Sequence, residues 1–311
     1  MVSSPDSSVE FTDDPARFLA ETEAHLAAEP VLTTVIASVT ARMAKQSMAK
    51  QSLAKQSDGA GPAGDLPHRW WAIARDEAGA VTGVAMRTAP FAPYPAYVLP
   101  MPDDAALALA RALHERGEAL GGVNGALPAA RIVAEETARL SGGAASVHEH
   151  LRLFELGVLV PPENPPGGLR PATRNDAELC LAWFRDFAHA AAEQAGRIEP
   201  HAMEEFAMDE MLARIDDGIV WLWEDEAGEV VHLTGANLPA NGVTRIGPVY
   251  TPRDRRGRGY ASAAVAEVSR QYVERGVRCC LFTDQANPVS NHIYEAIGYR
   301  PVVDMVNLVI G

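Results

Sequence analysis

Short apolar runs closed by turn signals alternate along this chain with longer stretches whose apolar positions recur every three or four residues. The first pattern predicts strands and the second predicts helices. Residues 15–42 read as helices. Pro15 follows Asp14 at a first turn, Phe18, Leu19 and Leu26 share a face broken by Thr22, and Pro30 interrupts the pattern before it resumes. Residues 70–75 and 81–87 read as strands around the turn Asp76-Glu77-Ala78-Gly79, with a third strand at 94–99. A helix over about 102–116, a short strand at 121–126, a helix at 128–140 and an apolar strand-like run at 148–159 follow.

Residues 161–168 contain four prolines and two glycines, which cannot continue a helix or a sheet, so they predict a linker. A second series follows: a short strand at 168–171, a helix from the cap Asn175-Asp176 to about 191, and a helix from Pro200 to 215. Strands are predicted at 219–223, 229–236 and 243–250, with a hairpin turn at Asp225-Glu226-Ala227-Gly228. A helix at 259–275, a buried strand at 277–283, a helix at 288–297 and a strand at 302–310 complete it. Both series have helices, a hairpin on an Asp-Glu-Ala-Gly turn, a third strand, a helix, a strand, a helix and a last strand. The pattern is α/β, with strands inside and helices on the faces, and it implies a duplication. The expected domains are 1–160 and 169–311, joined by 161–168.

Within the first domain the unit Met-Ala-Lys-Gln-Ser occurs at 43–47 and 48–52 and returns as Leu53-Ala54-Lys55-Gln56-Ser57. A period of five fits neither a helical nor a strand face, so residues 43–64 are expected to be a flexible, solvated insertion.

The chain has 311 residues, 47% hydrophobic and 22% charged, with a formal net charge of −14. That charge argues against a nucleic-acid partner, which needs a basic surface, and is compatible with an amine substrate. The three cysteines, Cys180, Cys279 and Cys280, have no zinc or disulfide spacing, so no metal is expected and they read as small buried hydrophobes. No signal peptide and no run of about 20 apolar residues is evident, so a cytoplasmic protein without a membrane partner is expected.

Chemistry concentrates at Gly247-Pro248-Val249-Tyr250-Thr251-Pro252-Arg253-Asp254-Arg255-Arg256-Gly257-Arg258-Gly259-Tyr260-Ala261. A strand enters an arginine- and glycine-rich loop that opens into a helix. Unpaired N–H groups and the positive dipole end at a helix start favour phosphate, and glycines let the anion approach. A dinucleotide fingerprint fits poorly, because Ser262 stands at the third glycine position and the loop is too long. No Gly-Lys-Ser/Thr occurs, so a Walker loop is absent.

Arg256-x-x-Gly259-x-Ala261 resembles the acyl-CoA signature of the GNAT superfamily of N-acetyltransferases, and Asn287-Pro288-x-Ser290-Asn291-x-x-Tyr294 resembles that family's asparagine–serine–tyrosine helix. The resemblance covers residues 168–311; the first half matches only in element order. It implies two tandem GNAT-like domains of α+β type, each a mixed, mostly antiparallel sheet flanked by helices. It also implies transfer of an acetyl group from acetyl-CoA to a primary amine of a small molecule or peptide, by direct attack in a ternary complex. In this reading the backbone of Arg256, Gly257, Arg258, Gly259, Tyr260 and Ala261 holds the pyrophosphate, with Arg255 beside it. Val249 and Tyr250 pair with the pantetheine arm, and Asn287, Ser290 and Asn291 shape its path. Tyr294 protonates the leaving thiolate.

The amine must also lose a proton. Many relatives carry a glutamate on the third strand, but residues 243–250 contain no carboxylate. Asp284, His232 and a water chain are the candidate bases. The alternative function is a non-catalytic acyl-CoA-binding regulatory protein. In the first half, the segment matching the loop reads Pro100-Met101-Pro102-Asp103-Asp104-Ala105, without arginine or glycine. It is expected to bind no CoA. It could wall the acceptor pocket, mediate a homodimer, or serve as a platform.

Overall fold

The computed structural model describes residues 7–54, 69–198 and 206–311. The first series of elements is β1 (Ser8–Thr12), α1 (Pro15–Ala28), α2 (Thr34–Ala54), β2 (Trp70–Arg75), β3 (Val81–Arg87), β4 (Ala96–Val98), α3 (Asp103–Glu115), β5 (Gly122–Ala126), α4 (Ala129–Ser141) and β6 (Ala145–Leu156). The second is β7 (Gly168–Pro171), α5 (Ala177–Gln194), α6 (Met208–Asp216), β8 (Val220–Glu224), β9 (Val230–Ala236), β10 (Val243–Tyr250), α7 (Tyr260–Val273), β11 (Arg278–Asp284), α8 (Pro288–Ala296) and β12 (Tyr299–Ile310). Among the described residues no helix is long and apolar enough to cross a membrane.

The chain forms two compact units, Met1–His150 with Asp304–Gly311, and Leu151–Val303. In the first unit β1, β2, β3 and β4 pair antiparallel in turn, β4 pairs parallel with β5, and β5 pairs antiparallel with β12. In the second unit β7, β8, β9 and β10 pair antiparallel in turn, β10 pairs parallel with β11, and β11 pairs antiparallel with β6. The ladder pattern is the same in both, and so is the hairpin turn. Asp76 Oδ1 accepts from the N–H of Ala78 and Ala80, and Asp225 Oδ1 from Ala227 and Glu229, all at 2.9–3.0 Å.

The units do not divide the chain linearly, and this corrects the expected boundary. The last strand of each series completes the sheet of the other unit: Met305–Val309 of β12 pairs with β5, and Leu151–Glu155 of β6 pairs with β11. Each covers the otherwise open edge of a parallel pair. Residues 161–167 carry no regular structure.

Both sheets are covered on both faces, so their strands read as continuous apolar runs. Successive residues of β2 point to opposite faces. Trp70 and Ala72 pack with α3 and α4, whereas Trp71 and Ile73 pack with Phe18, Leu26 and Ile36 of α1 and α2. In the second unit Val220, Leu222 and Leu233 face α5 and α6, and Trp221, Ile246 and Leu281 face α7 and α8. All three cysteines are buried, and burial pushes the thiols of Cys180 and Cys279 up to about 12.

Three local readings change. Residues 8–12, within a polar terminus, form a strand whose Val9 and Phe11 pack against the core. The five-residue repeat does not begin a flexible segment at 43, because α2 continues through Ala54. Met, Ala, Lys and Gln are all strong helix formers, and the buried start of the helix provides the nucleus. The remainder of the expected insertion, 55–64, lies outside the described residues, as does Pro200. Helix α5 is preceded by a short turn in which Thr173 and Asp176 form a reciprocal capping box, so Asn175 is not the cap.

Leu308, three residues from the chain end, is 4% exposed in the core of the first unit. Leu308→Ala is expected to destabilise that unit by about 2–5 kcal/mol, as buried Leu truncations do. Denaturant unfolding checks this; a loss below about 0.5 kcal/mol, the range of surface positions, would contradict the placement.

Candidate functional site

Strands β10 and β11 start as a parallel pair at Val243↔Arg278, Thr244↔Cys279 and Arg245↔Cys280, and the ladder then stops. Both strands continue, β10 to Tyr250 and β11 to Asp284, so they part. The parting coincides with a bulge. Against β9, the register advances from Ile246↔Ala236 to Val249↔Thr234, one residue more on β10 than on β9. The resulting cleft is lined by Ile246, Gly247, Val249, Tyr250 and Thr251 on one side and Phe282, Thr283 and Asp284 on the other. A Cβ built on Gly247 would meet nothing within 4 Å. Backbone groups of β10 beyond Arg245 therefore lack a strand partner on the β11 side and are available to an extended ligand.

Helix α5 supplies a third wall through Phe187, Ala190, Ala191 and Gln194, which the sequence reading missed. Their spacing of three, four and seven is a helical stripe, and that was the available signal. Trp183, one turn earlier, packs on Tyr250 with ring centroids 5.5 Å apart.

The loop after β10 carries the expected anion-binding features on its backbone. Gly257 and Gly259 have φ of +76° and +83°, where a Cβ is strained. Gly259 is the N-cap of α7, and no side chain caps this helix. The first N–H groups of α7 are thus left for a ligand. Tyr260 contributes only backbone, since its ring is buried against Trp223 and Val231 and pins the helix start to the sheet. Ala261, behind it, adds no side-chain bulk.

The arginines are less uniform than their spacing implied. Arg255 is engaged by carboxylates: its guanidinium donates to Glu229 at 2.6 Å and lies 3.6 Å from Asp225, both on the β8–β9 turn, and 3.3 Å from Asp254. Arg256 Nε donates to the Thr251 carbonyl at 3.1 Å, and Glu193 at the end of α5 approaches Arg253 and Arg256 at 3.1 and 3.5 Å. These are solvent-accessible pairs, so phosphate can compete for them. Arg258 is exposed and reaches the Asp254 carbonyl at 3.4 Å.

Helix α8 brings Asn287, Ser290 and Tyr294 to the cleft. Asn287 caps it by accepting from the Ser290 N–H at 3.1 Å. Asn291 does not line the cleft. Its side chain bonds Thr283 and the carbonyls of Asp284 and Gln285, bracing the turn from β11 into α8. Tyr294 is 8% exposed, and its ring packs edge-on to Tyr299. Burial pushes its phenol above the ordinary range, which by itself widens the gap to a thiol. Any thiol in the same apolar cleft would be raised by the same desolvation.

The two candidate bases fare differently. Asp284 lines the cleft, but its carboxylate is 8% exposed and bound by the guanidinium of Arg197, and it accepts from the Ala286 N–H at 2.8 Å. It braces the segment after α5. His232 is fully buried and outside the cleft lining. Its ring nitrogens meet the hydroxyls of Thr251 at 2.7 Å and Thr234 at 2.8 Å. Burial lowers its pKa to about 3, so it is neutral and a poor base near pH 7.

The first unit has the corresponding elements with different residues. Strand β4 pairs with β5 over its whole three-residue length, ending at Val98↔Gly125, where a Cβ on Gly125 would fall 2.0 Å from the Val98 carbonyl. Both parallel ladders are three pairs long, but β4 ends with its ladder whereas β10 continues five residues past its own. Helix α3, like α7, has no side-chain cap, but it starts after Pro102 and carries Asp103 and Asp104 in its first turn, where their charge disfavours an anion. Among the described residues, no group of three or more His, Cys, Asp or Glu side chains is placed to hold a metal.

Residues 227–306 match the FR47-like protein family, which is GNAT-like. No curated protein matches the chain. Three solved structures resemble it over its full length. A GCN5-related N-acetyltransferase from Sphaerobacter thermophilus is 16% identical with a TM-score of 0.55, covering 97% of this chain and 95% of that one. A GNAT-family acetyltransferase from Colwellia psychrerythraea is 9% identical with a TM-score of 0.52, covering 97% and 99%. A tandem GNAT protein from the clavulanic acid biosynthesis pathway is 12% identical with a TM-score of 0.52, covering 98% of each chain.

The depressed pKa of His232 has a stability consequence. The unfolded ring, near 6.5, takes up a proton that the folded ring refuses until about pH 3. The neutral ring's contribution is complete above pH 6.5 and is lost as the pH falls through this window. NMR titration is expected to show His232 neutral at pH 5; a midpoint near 6.5 would contradict its burial.

Proposed function

We propose that this chain, which has the fold of tandem GNAT proteins, is an N-acetyltransferase with one acetyl-CoA cleft, in the second unit. The observation that carries the reading is a pairing of two features on consecutive elements. A strand edge freed by the bulge in β10 lines the cleft, and an uncapped helix start follows it through a loop with two left-handed glycines. An extended acyl-pantetheine arm suits the first, and a pyrophosphate suits the second.

In this reading the freed N–H groups near Val249 polarise the thioester carbonyl, and the apolar walls Phe187, Ile246 and Phe282 exclude water. A neutral primary amine attacks the carbonyl carbon, the C–S bond breaks, and the thiolate takes a proton from the Tyr294 hydroxyl. The amine's proton leaves through water, since Asp284 is held by Arg197 and His232 is sealed away. The acceptor is a small-molecule or peptide amine, and the first unit takes no part in holding CoA. Thiol release on mixing with acetyl-CoA and a panel of amines tests the reading. Binding of CoA without release on any amine would favour a regulatory acyl-CoA-binding protein instead.

Gly259→Asp is expected to abolish CoA binding, because it places a carboxylate at the phosphate position and a side chain at a φ of +83°. Unchanged affinity by calorimetry would refute the loop assignment. Tyr294→Phe is expected to lower turnover about 10²-fold, the smaller end of general-acid contributions, with CoA affinity little altered. An unchanged rate would remove the acid role.

A further inference from the structure

His232 is 0% exposed on β9, a position where an apolar residue would fill the space without the cost of burying a polar ring. Both ring nitrogens are used. Nδ1 meets the Thr251 hydroxyl at 2.7 Å and Nε2 meets the Thr234 hydroxyl at 2.8 Å. A neutral imidazole has one donor and one acceptor, so one threonine hydroxyl donates to the ring and the other accepts from it. Thr251 directly follows β10 and lines the cleft. Its other polar end is also engaged, since its carbonyl accepts from Arg256 Nε at 3.1 Å. One residue thus links a buried ring on one side to a loop guanidinium on the other.

We propose that His232 is a positioning residue for the phosphate loop, fixing the end of β10 through the Thr251 hydroxyl and Arg256 through the Thr251 carbonyl. The proposal rests on the cofactor reading above, in which the loop from Arg256 to Ala261 holds a pyrophosphate. The peptide of Thr251 is otherwise followed by Pro252, which offers no N–H, and by one short helical turn ending at Arg255. Without the ring, rotation about this segment would swing Arg256 away from the start of α7. The buried ring stays neutral, so the link works without a charge change near the loop. Burial thus makes His232 unsuitable as a base and suitable as a fixed hydrogen-bonding strut.

Calorimetry with CoA tests this on the full chain. His232→Leu is expected to weaken CoA binding roughly tenfold when Arg256 is present, but less than about twofold in an Arg256→Ala background, because the histidine acts through that arginine. Thr251→Val is expected to weaken binding, and Thr251→Ser, which keeps the hydroxyl, to restore most of the loss. Additive losses in the double variant, or equal affinities for the Val and Ser variants, would overturn the proposal. If His232→Leu does not fold, the Thr251 pair decides. A wild-type chain that binds no CoA would remove the cofactor reading, and this inference with it; wild-type binding with indifferent variants would remove the inference alone.

Discussion

The parallel ladder between β10 and β11 ends after Arg245, and the proposed chemistry depends on that ending. Two strands that stay paired satisfy one another's backbone groups and leave no room between them. Two strands that part inside a packed sheet leave unpaired N–H and C=O groups facing a cleft, and such groups need a partner. The extra residue in β10 between Ile246 and Val249 supplies the departure, and α5, α8 and the end of β11 wall the opening. The same strand then runs into the loop that leaves α7 without a side-chain cap, so the cleft and the proposed anion site are fixed by one element.

The first unit has the same ladders without that bulge. Its Asp76 turn repeats the hydrogen bonds of the Asp225 turn. Yet β4 and β5 close to the point where only glycine fits at position 125, and the following helix opens on proline and two carboxylates. The repetition is therefore visible in the order of elements, while residues 100–105 carry neither arginine nor glycine. The exchange of last strands makes Val306 and Leu308 part of the first unit's core.

Much of this was legible from local pattern. The strand 243–250, the glycine-rich loop, the Asn287 cap and the matching turns are short-range features with distinctive residue types. Long-range features were not legible. Nothing local shows that β12 completes the other unit's sheet. The side chain of Arg255 reaches Glu229, 26 residues earlier, and Asn291 turns inward to the carbonyls of the β11–α8 turn. Residues 43–54 are helical because their residue types favour a helix, although a five-residue period matches no helical face. For His232, sequence identified an ionisable residue on the hairpin, and only burial could show that it does not ionise.

The central claim is that one cleft, between β10 and β11, takes CoA. Hydrogen exchange with and without CoA tests it most directly. The account predicts new protection at residues 249–251 and 257–263, on the freed edge of β10 and the start of α7, with residues 98–106 unchanged. Protection at 98–106, or none at either place under saturating CoA, would contradict it.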